Sequence, residues 1–543
     1  MITIFSAKRI ITLDPSLPSA THVAVKDGKV LAVGSLEDIA DVGEYVLDTR
    51  FENAYLYPGF VEGHSHALEG AMWNYVYLGY FPRHTPQGEL RPGNTSLADI
   101  QKRLAEAAQT LAPGEPLVAW GFDPVYFEGE RLDKQVIDAV VSDRPVVIFH
   151  ANLHLMTVNS AMLAQTRLAE THDLEGVMRD AQGQPNGELR EMAAMHAVFE
   201  ALGRSVFEEV ASLATLQNYA KAAQRTGITT ITDLYNPLSD QGVAALVESS
   251  QQPQYPVRLV PAMGALDWQN HQGIERIVAC QELSNAKLHF GLVKVMTDGS
   301  IQGFSARMLW PGYHNGHENG IWNAPPETLK QIVLDYHQAG LQMHIHTNGD
   351  EAVELMLDAI EEAQSLWYRA DHRHTLQHCQ FISQAQMRRA AKLGVCLNMF
   401  VNHIYYWGDI HREKTLGYTR SRRMQPLRSA RQLGVPIAMH CDAPVTPLGP
   451  LFSMWCAVAR KTASGHVLGE HEALTIPEAL ELMTLGAAYT LHMDDQVGSL
   501  EVGKFADMVA LDRDLYAIDT DELLDIEVLA TVLGGEVHTH AKH

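Results

Sequence analysis

Strand-like apolar runs recur eight times through the middle of this chain, at 57–66, 228–234, 257–263, 290–296, 341–346, 374–379, 395–400 and 436–442. Segments with helical periodicity lie between several of them, at 207–226, 326–339, 351–363, 384–393 and 426–433. Three of those segments stop at Gly227, Gly340 and Gly394, the residue type that tolerates a left-handed helix end. Strands alternating with helices build a parallel sheet, and eight of them predict an α/β fold of the (β/α)8 TIM-like barrel type. Such a barrel works at the C-terminal ends of its strands, and several of these runs end in His, Lys or Asp.

The two ends of the chain read differently. Residues 1–57 alternate in short β-branched runs, with Asp27-Gly28 as a hairpin signal, and the turn-then-strand pattern returns from Gly498 to Leu511. This predicts a small discontinuous β-sandwich from 1–57 and 491–543, around a barrel domain at 58–490. Residues 67–205, inserted after the first barrel strand, carry their own strands near 117–120 and 145–150 and helices near 97–111 and 132–140. An insertion at that place is expected to cap the active site.

Composition excludes some functions. A formal charge of −24 gives no basic surface for nucleic acid or an anionic membrane. The five cysteines are scattered without a Cys-x-x-Cys pair, a reduced pattern that points to the cytoplasm, as does the absence of an apolar leader or membrane-length run.

The residues with chemistry begin at His64-Ser65-His66. On an extended chain these two imidazoles share a face and can converge on one cation, although two polar residues also simply mark a strand edge. Lys294 lies inside an apolar run, where a free ammonium is costly unless paired, for instance with Asp298 or Glu191. Asp442 ends the eighth run and would serve as a general base, or as a turn cap before Ala443-Pro444. His344 lies one residue pair deeper than His346, and His374 competes with His378; the deeper positions suit packing.

In order along the chain, Pro-Gly-Phe-Val-Glu-Gly-His64-Ser-His66, Val293-Lys294 with Asp298-Gly299-Ser300, His346-Thr-Asn-Gly349-Asp350, His378-Cys-Gln380, Asp442-Ala-Pro-Val445 and Gly498-Ser-Leu-Glu-Val-Gly-Lys-Phe-Ala-Asp507 resemble the metal-dependent amidohydrolase superfamily. Within it they are similar to the amidohydrolase family 3 group that includes N-substituted formamide deformylases, as is His154 with Val158-Asn159-Ser160-Ala161-Met162-Leu163. The resemblance implies that His64, His66, His346, His378 and Asp442 bind a divalent metal. Two zinc ions are expected, iron or manganese being alternatives, with Lys294 N6-carboxylated as a bridge between them. It also implies hydrolysis of a non-peptide C–N bond, an amide or N-formyl group, by a metal-activated hydroxide with Asp442 as proton acceptor and then donor. Deamination, cyclic-amide hydrolysis or a non-catalytic binding role are the alternatives. Departures are Glu62 where Asp is common, His440-Cys441 before Asp442, and Gln377 before His378. A small-molecule substrate and a homodimer are expected by analogy. Trp120, Asp123, His154, Arg307 and His403 are the candidate substrate contacts. Aromatic stretches at 72–81 and 403–407 either line a barrel mouth or pack the inserted segment.

Overall fold

The computed structural model describes residues 1–539 apart from 128, 130, 172, 173 and 175. Eight parallel strands form the central sheet. In chain order they are Phe60–Glu62, Ile228–Asn236, Arg258–Gly264, Leu292–Met296, Gln342–Thr347, Thr375–His378, Cys396–Met399 and Ile437–Met439, each beside the next. The eight-run alternation in the sequence is thus a TIM-like barrel.

The first and eighth strands meet through their trailing loops. Asp442 N–H donates to His64 O at 3.1 Å. The buried Glu62 carboxylate takes hydrogen bonds on one oxygen from the backbone N–H of His64 (3.3 Å) and of Cys441 (3.2 Å). The first strand also runs against the second so closely that a Cβ at Gly59 would collide with the Thr229 side chain, which accounts for glycine there.

Both chain ends enter one seven-stranded sheet. Its order is Glu536–Thr539, Val528–Leu533, Met508–Leu511, Tyr45–Pro58, Ile2–Ile11, Ser19–Lys26 and Lys29–Gly34. Asp27 and Gly28, at φ 51° and 79°, make the tight hairpin that the Asp-Gly pair predicts. Phe5, Ile10, Val23, Leu56, Met508 and Val532 are buried together on this sheet. Asp507, from the closing motif, is buried and accepts both arms of Arg258 at 2.7 and 3.0 Å, and the Gly534 N–H at 2.7 Å. A buried carboxylate survives there because it is paired and fully hydrogen-bonded.

A second compact unit comprises Ala67–Tyr219 with Ala443–Pro447. It is built on a six-stranded sheet ordered Val177–Arg179, Pro185–Arg190, Leu155–Val158, Val146–His150, Leu117–Phe122 and Val76–Tyr77. Helix Leu97–Ala108 opens with a capping box at Ser96 and Asp99 and buries Leu97, Ile100 and Leu104 among Phe122, Ile137 and Ile148. The unit includes strands Leu117–Phe122 and Val146–His150 and helices Leu97–Ala108 and Lys134–Asp138, and its first segment ends at Tyr219, inside helix Leu213–Arg225. All five cysteines are buried and free. Among the described residues no helix is long and apolar enough to cross a membrane.

Candidate metal centre

The His-x-His pair leaves the first strand with its rings 5.3 Å apart and nearly perpendicular. Both Nε2 atoms address a single oxygen, Asp442 Oδ1, at 3.3 Å from His64 and 3.2 Å from His66. That oxygen is buried and has no hydrogen-bond partner among the described residues. The far side of His64 shows why the imidazole does not fill the role. With the Gln377 amide oriented as it stands, His64 Nδ1–H donates to Gln377 Oε1 at 2.7 Å, and Gln377 Nε2 donates to His344 Nδ1 at 2.7 Å. His64 Nε2 therefore carries a lone pair toward the carboxylate. Two acceptors facing each other in a buried site call for a cation between them.

Lys294 reaches the same atom, with Nζ 3.4 Å from His64 Nε2. It is fully buried, and among the described residues no carboxylate stands within ion-pair distance of it. The partners considered for it are engaged elsewhere. Glu191 pairs with His154 at 3.0 Å, and Asp298 accepts the backbone N–H groups of Arg307, Asn348 and Gly349 at 2.9–3.1 Å. Burial lowers the Lys294 ammonium to about 7, so a large share of neutral amine exists at neutral pH. Burial likewise pushes the Glu62 carboxyl up to about 8.

The fifth and sixth strands deliver a second pair of imidazoles. His346 Nε2 lies 3.1 Å from Gly299 O and 3.0 Å from Asn348 Nδ2, and its Nδ1 lies 3.0 Å from His378 Nε2. His378 Nδ1 lies 3.7 Å from Asp442 Oδ2 and has no hydrogen-bond partner among the described residues. His378 and Asp442 both hold left-handed backbone, at φ 71° and 58°. Such conformations cost energy for residues with a side chain and gather at functional sites. Asp298-Gly299 and Asn348-Gly349 belong to one brace: Asp298 ties down the loop after the fifth strand, and a Cβ at Gly349 would strike the Arg307 carbonyl.

The structure thus brings together His64, His66, Lys294, His346, His378 and Asp442, Lys294 from the middle of its strand and the others from at or just beyond strand ends. Their nitrogen and oxygen donors, with buried atoms left unpartnered, fit a divalent cation of the zinc, iron or manganese type.

Sequence reasoning noted His440 and Gln377 as departures only. Gln377 proves to fix the His64 tautomer. His440 is buried flat against His64, with ring centroids 4.5 Å apart at 13°. Neither of its ring nitrogens has a hydrogen-bond partner among the described residues, at a cost of about 1–3 kcal/mol for each group left so. Its place two residues before Asp442 on an extended chain, hence on the same face, was the signal available.

The five candidate substrate contacts are placed as follows. Arg307 holds Gly320 O (2.8 Å) and Glu351 (2.9 Å). His403 starts helix His403–Ile410 and lies in a buried file, 2.6 Å from Gln380 Nε2 and 3.1 Å from His411 Nε2. In the inserted unit, Trp120 packs edge-on to Trp73 at 5.2 Å, Asp123 accepts the Val125 N–H at 3.1 Å, and His154 meets Glu191.

The sequence pattern of the amidohydrolase family matches residues 51–538. YtcJ of Bacillus subtilis is 26% identical over 539 residues, covering 95% of this chain and 95% of its own. The N-substituted formamide deformylase of Arthrobacter pascens is 24% identical over 551 residues, covering 96% of each. Among solved structures, an uncharacterized metal-dependent hydrolase from Pyrococcus horikoshii superposes with a TM-score of 0.72 at 20% identity. That alignment covers 96% of this chain and 99% of the other.

Proposed function

The chain belongs to the amidohydrolase family, and on that premise we propose that it hydrolyses a non-peptide carbon–nitrogen bond, an amide or an N-formyl group. The observation that carries the reading is Asp442 Oδ1, buried and unpartnered, faced by the Nε2 atoms of His64 and His66. The N-substituted formamide deformylase, alike over nearly the full length of both chains, favours the N-formyl class.

His64, His66 and Asp442 would hold one divalent cation, His346 and His378 a second, with zinc the first expectation. Lys294 would bridge them as a carbamate, formed when its neutral amine adds carbon dioxide and releases a proton. When bound, such cations bring the pKa of water near neutrality and polarise a carbonyl. The chain's own part is proton handling and orientation. The Asp442 carboxylate takes a proton from the attacking water and delivers it to the departing nitrogen, so that amide and water become carboxylic acid and amine. Glu62, held between the N–H groups of His64 and Cys441, fixes the two strand ends that carry the ligands.

Metal content by elemental analysis, intact mass for a labile carboxyl adduct on Lys294, and release of amine from N-substituted formamides test this together. Metal-loaded protein should release amine and formate in equal amounts, and Asp442→Asn should slow both together. Metal-loaded protein that releases amine from no amide or formamide overturns the assignment.

A further inference from the structure

The inserted unit has a cavity of its own, and we propose that this cavity binds a small aromatic carboxylate. It measures about 450 Å3, within the roughly 300–1,000 Å3 that small-molecule sites occupy. Its walls come from the edge strand Val76–Tyr77 and the residues before it, the hairpin that pairs Arg83–His84 with Leu90–Arg91, and helix Leu97–Ala108. All of these belong to the unit Ala67–Tyr219, and none of the metal-ligand candidates lines the cavity.

Three aromatics of the 72–81 stretch, Trp73, Tyr75 and Tyr77, line it. Their polar tips are spent on groups outside the lining: Trp73 Nε1–H donates to Glu69 at 2.9 Å, Tyr77 O–H to Phe81 O at 2.7 Å, and Tyr75 O–H to Glu209. What these side chains offer the cavity is therefore ring carbon, which suits a flat apolar group. Charge comes from two arginines against one glutamate, which leaves the lining net positive in a chain of formal charge −24. Arg91 is paired with that glutamate, Glu89, at 3.0 Å. Arg103 is half-buried, and its guanidinium has neither a carboxylate nor another hydrogen-bond acceptor among the described residues. A guanidinium with its donors open matches a planar oxyanion, which it can hold through two parallel hydrogen bonds. Ring carbon and an open guanidinium in one cavity select an anion that carries a ring, over a bare anion or a neutral ring.

The test uses the full metal-loaded chain and titrates benzoate, acetate and benzyl alcohol into wild type and Arg103→Ala by calorimetry. Alanine favours the helix at this position, and circular dichroism checks that the fold is kept. In wild type, benzoate should saturate a site that acetate and benzyl alcohol fill about tenfold more weakly or worse. Arg103→Ala should weaken benzoate by about tenfold or more, the loss expected for a charged hydrogen-bonded pair, and leave benzyl alcohol unmoved. Should the Ala variant fail to fold, Arg103→Gln carries the same comparison. Benzoate that never saturates, or that binds wild type and variant alike, overturns the site; in the latter case it is held at the metal centre. Acetate as tight as benzoate makes the cavity a seat for any small anion and overturns the aromatic assignment. Arg103-dependent benzoate binding in protein that hydrolyses no amide sustains this site and sinks only the hydrolase reading.

Discussion

Two groups of buried histidines occupy opposite ends of the same barrel strands, and their hydrogen bonds separate them. Where the fifth and sixth strands begin, His374 Nδ1 accepts the Met343 N–H (3.1 Å), so its Nε2–H donates to His337 Nδ1 (2.8 Å), whose Nε2–H donates to Trp367 O (2.7 Å). His372 Nδ1 accepts the His374 N–H (2.9 Å) and its Nε2–H donates to Leu393 O (2.7 Å). Every ring nitrogen is used once, each ring is neutral, and the set is complete. Where the strands finish, the His64 Nε2 lone pair faces a carboxylate oxygen, and His378 Nδ1 and both His440 ring nitrogens have no hydrogen-bond partner among the described residues. Burial alone therefore does not mark a metal ligand; what separates these two groups is whether their ring nitrogens are all partnered.

The hardest blow to this contrast is Asp442→Asn, which keeps the shape and removes the proton acceptor. Turnover should drop by about 10²–10⁴ while the melting temperature is kept. Activity within a few-fold of wild type would move the general base elsewhere. Lys294→Ala comes next. It should weaken metal binding by about 10–100-fold or more, and short carboxylic acids supplied in solution should restore part of the activity by standing in for the missing oxygen ligand. Metal affinity and activity equal to wild type would make Lys294 a packing residue.

The barrel was legible because period and punctuation agree: eight apolar runs, with glycines at the helix ends, Gly227, Gly340 and Gly394, at φ of 84°, 80° and 73°. His64 and His66 could be singled out because alternation places residues two apart on one face; the other metal-centre candidates came from the family resemblance. What the chain order could not display is proton direction. Gln377 reads in sequence as a departure from Glu, yet its two-ended amide joins His64 to His344 across three strands. Nor does sequence reveal that His372 and His374 are closed by the carbonyl of Leu393 and the amide of Met343, since these partners come from neighbouring segments.

Gln377→Leu sharpens the comparison at the catalytic end without touching a ligand. Removing the amide frees His64 to rotate and to protonate either nitrogen, so metal affinity should fall by about 10–100-fold. Chelator competition measures it. An unchanged constant would mean that stacking against His440, not the amide, holds the His64 ring.

The smallest effect belongs to the opposite end and is read as stability. Burial holds the His372 imidazole down at about 4, from 6.5 when unfolded, and pushes His374 well below its ordinary value. Between those limits the unfolded chain binds protons that the folded chain refuses, so stability is whole above pH 6.5 and drains as pH falls toward 4. Each such proton contributes a slope of about 1.4 kcal/mol per pH unit, less where the ring is part-exposed. Denaturant melts of metal-free protein across pH 4–7 should show that slope, and His372→Gln, neutral throughout, should lower it by about one proton. A slope unmoved by His372→Gln would place the acid sensitivity among the unpartnered imidazoles of the metal end, and would break the division of the two clusters into one closed by the fold and one open to a cation.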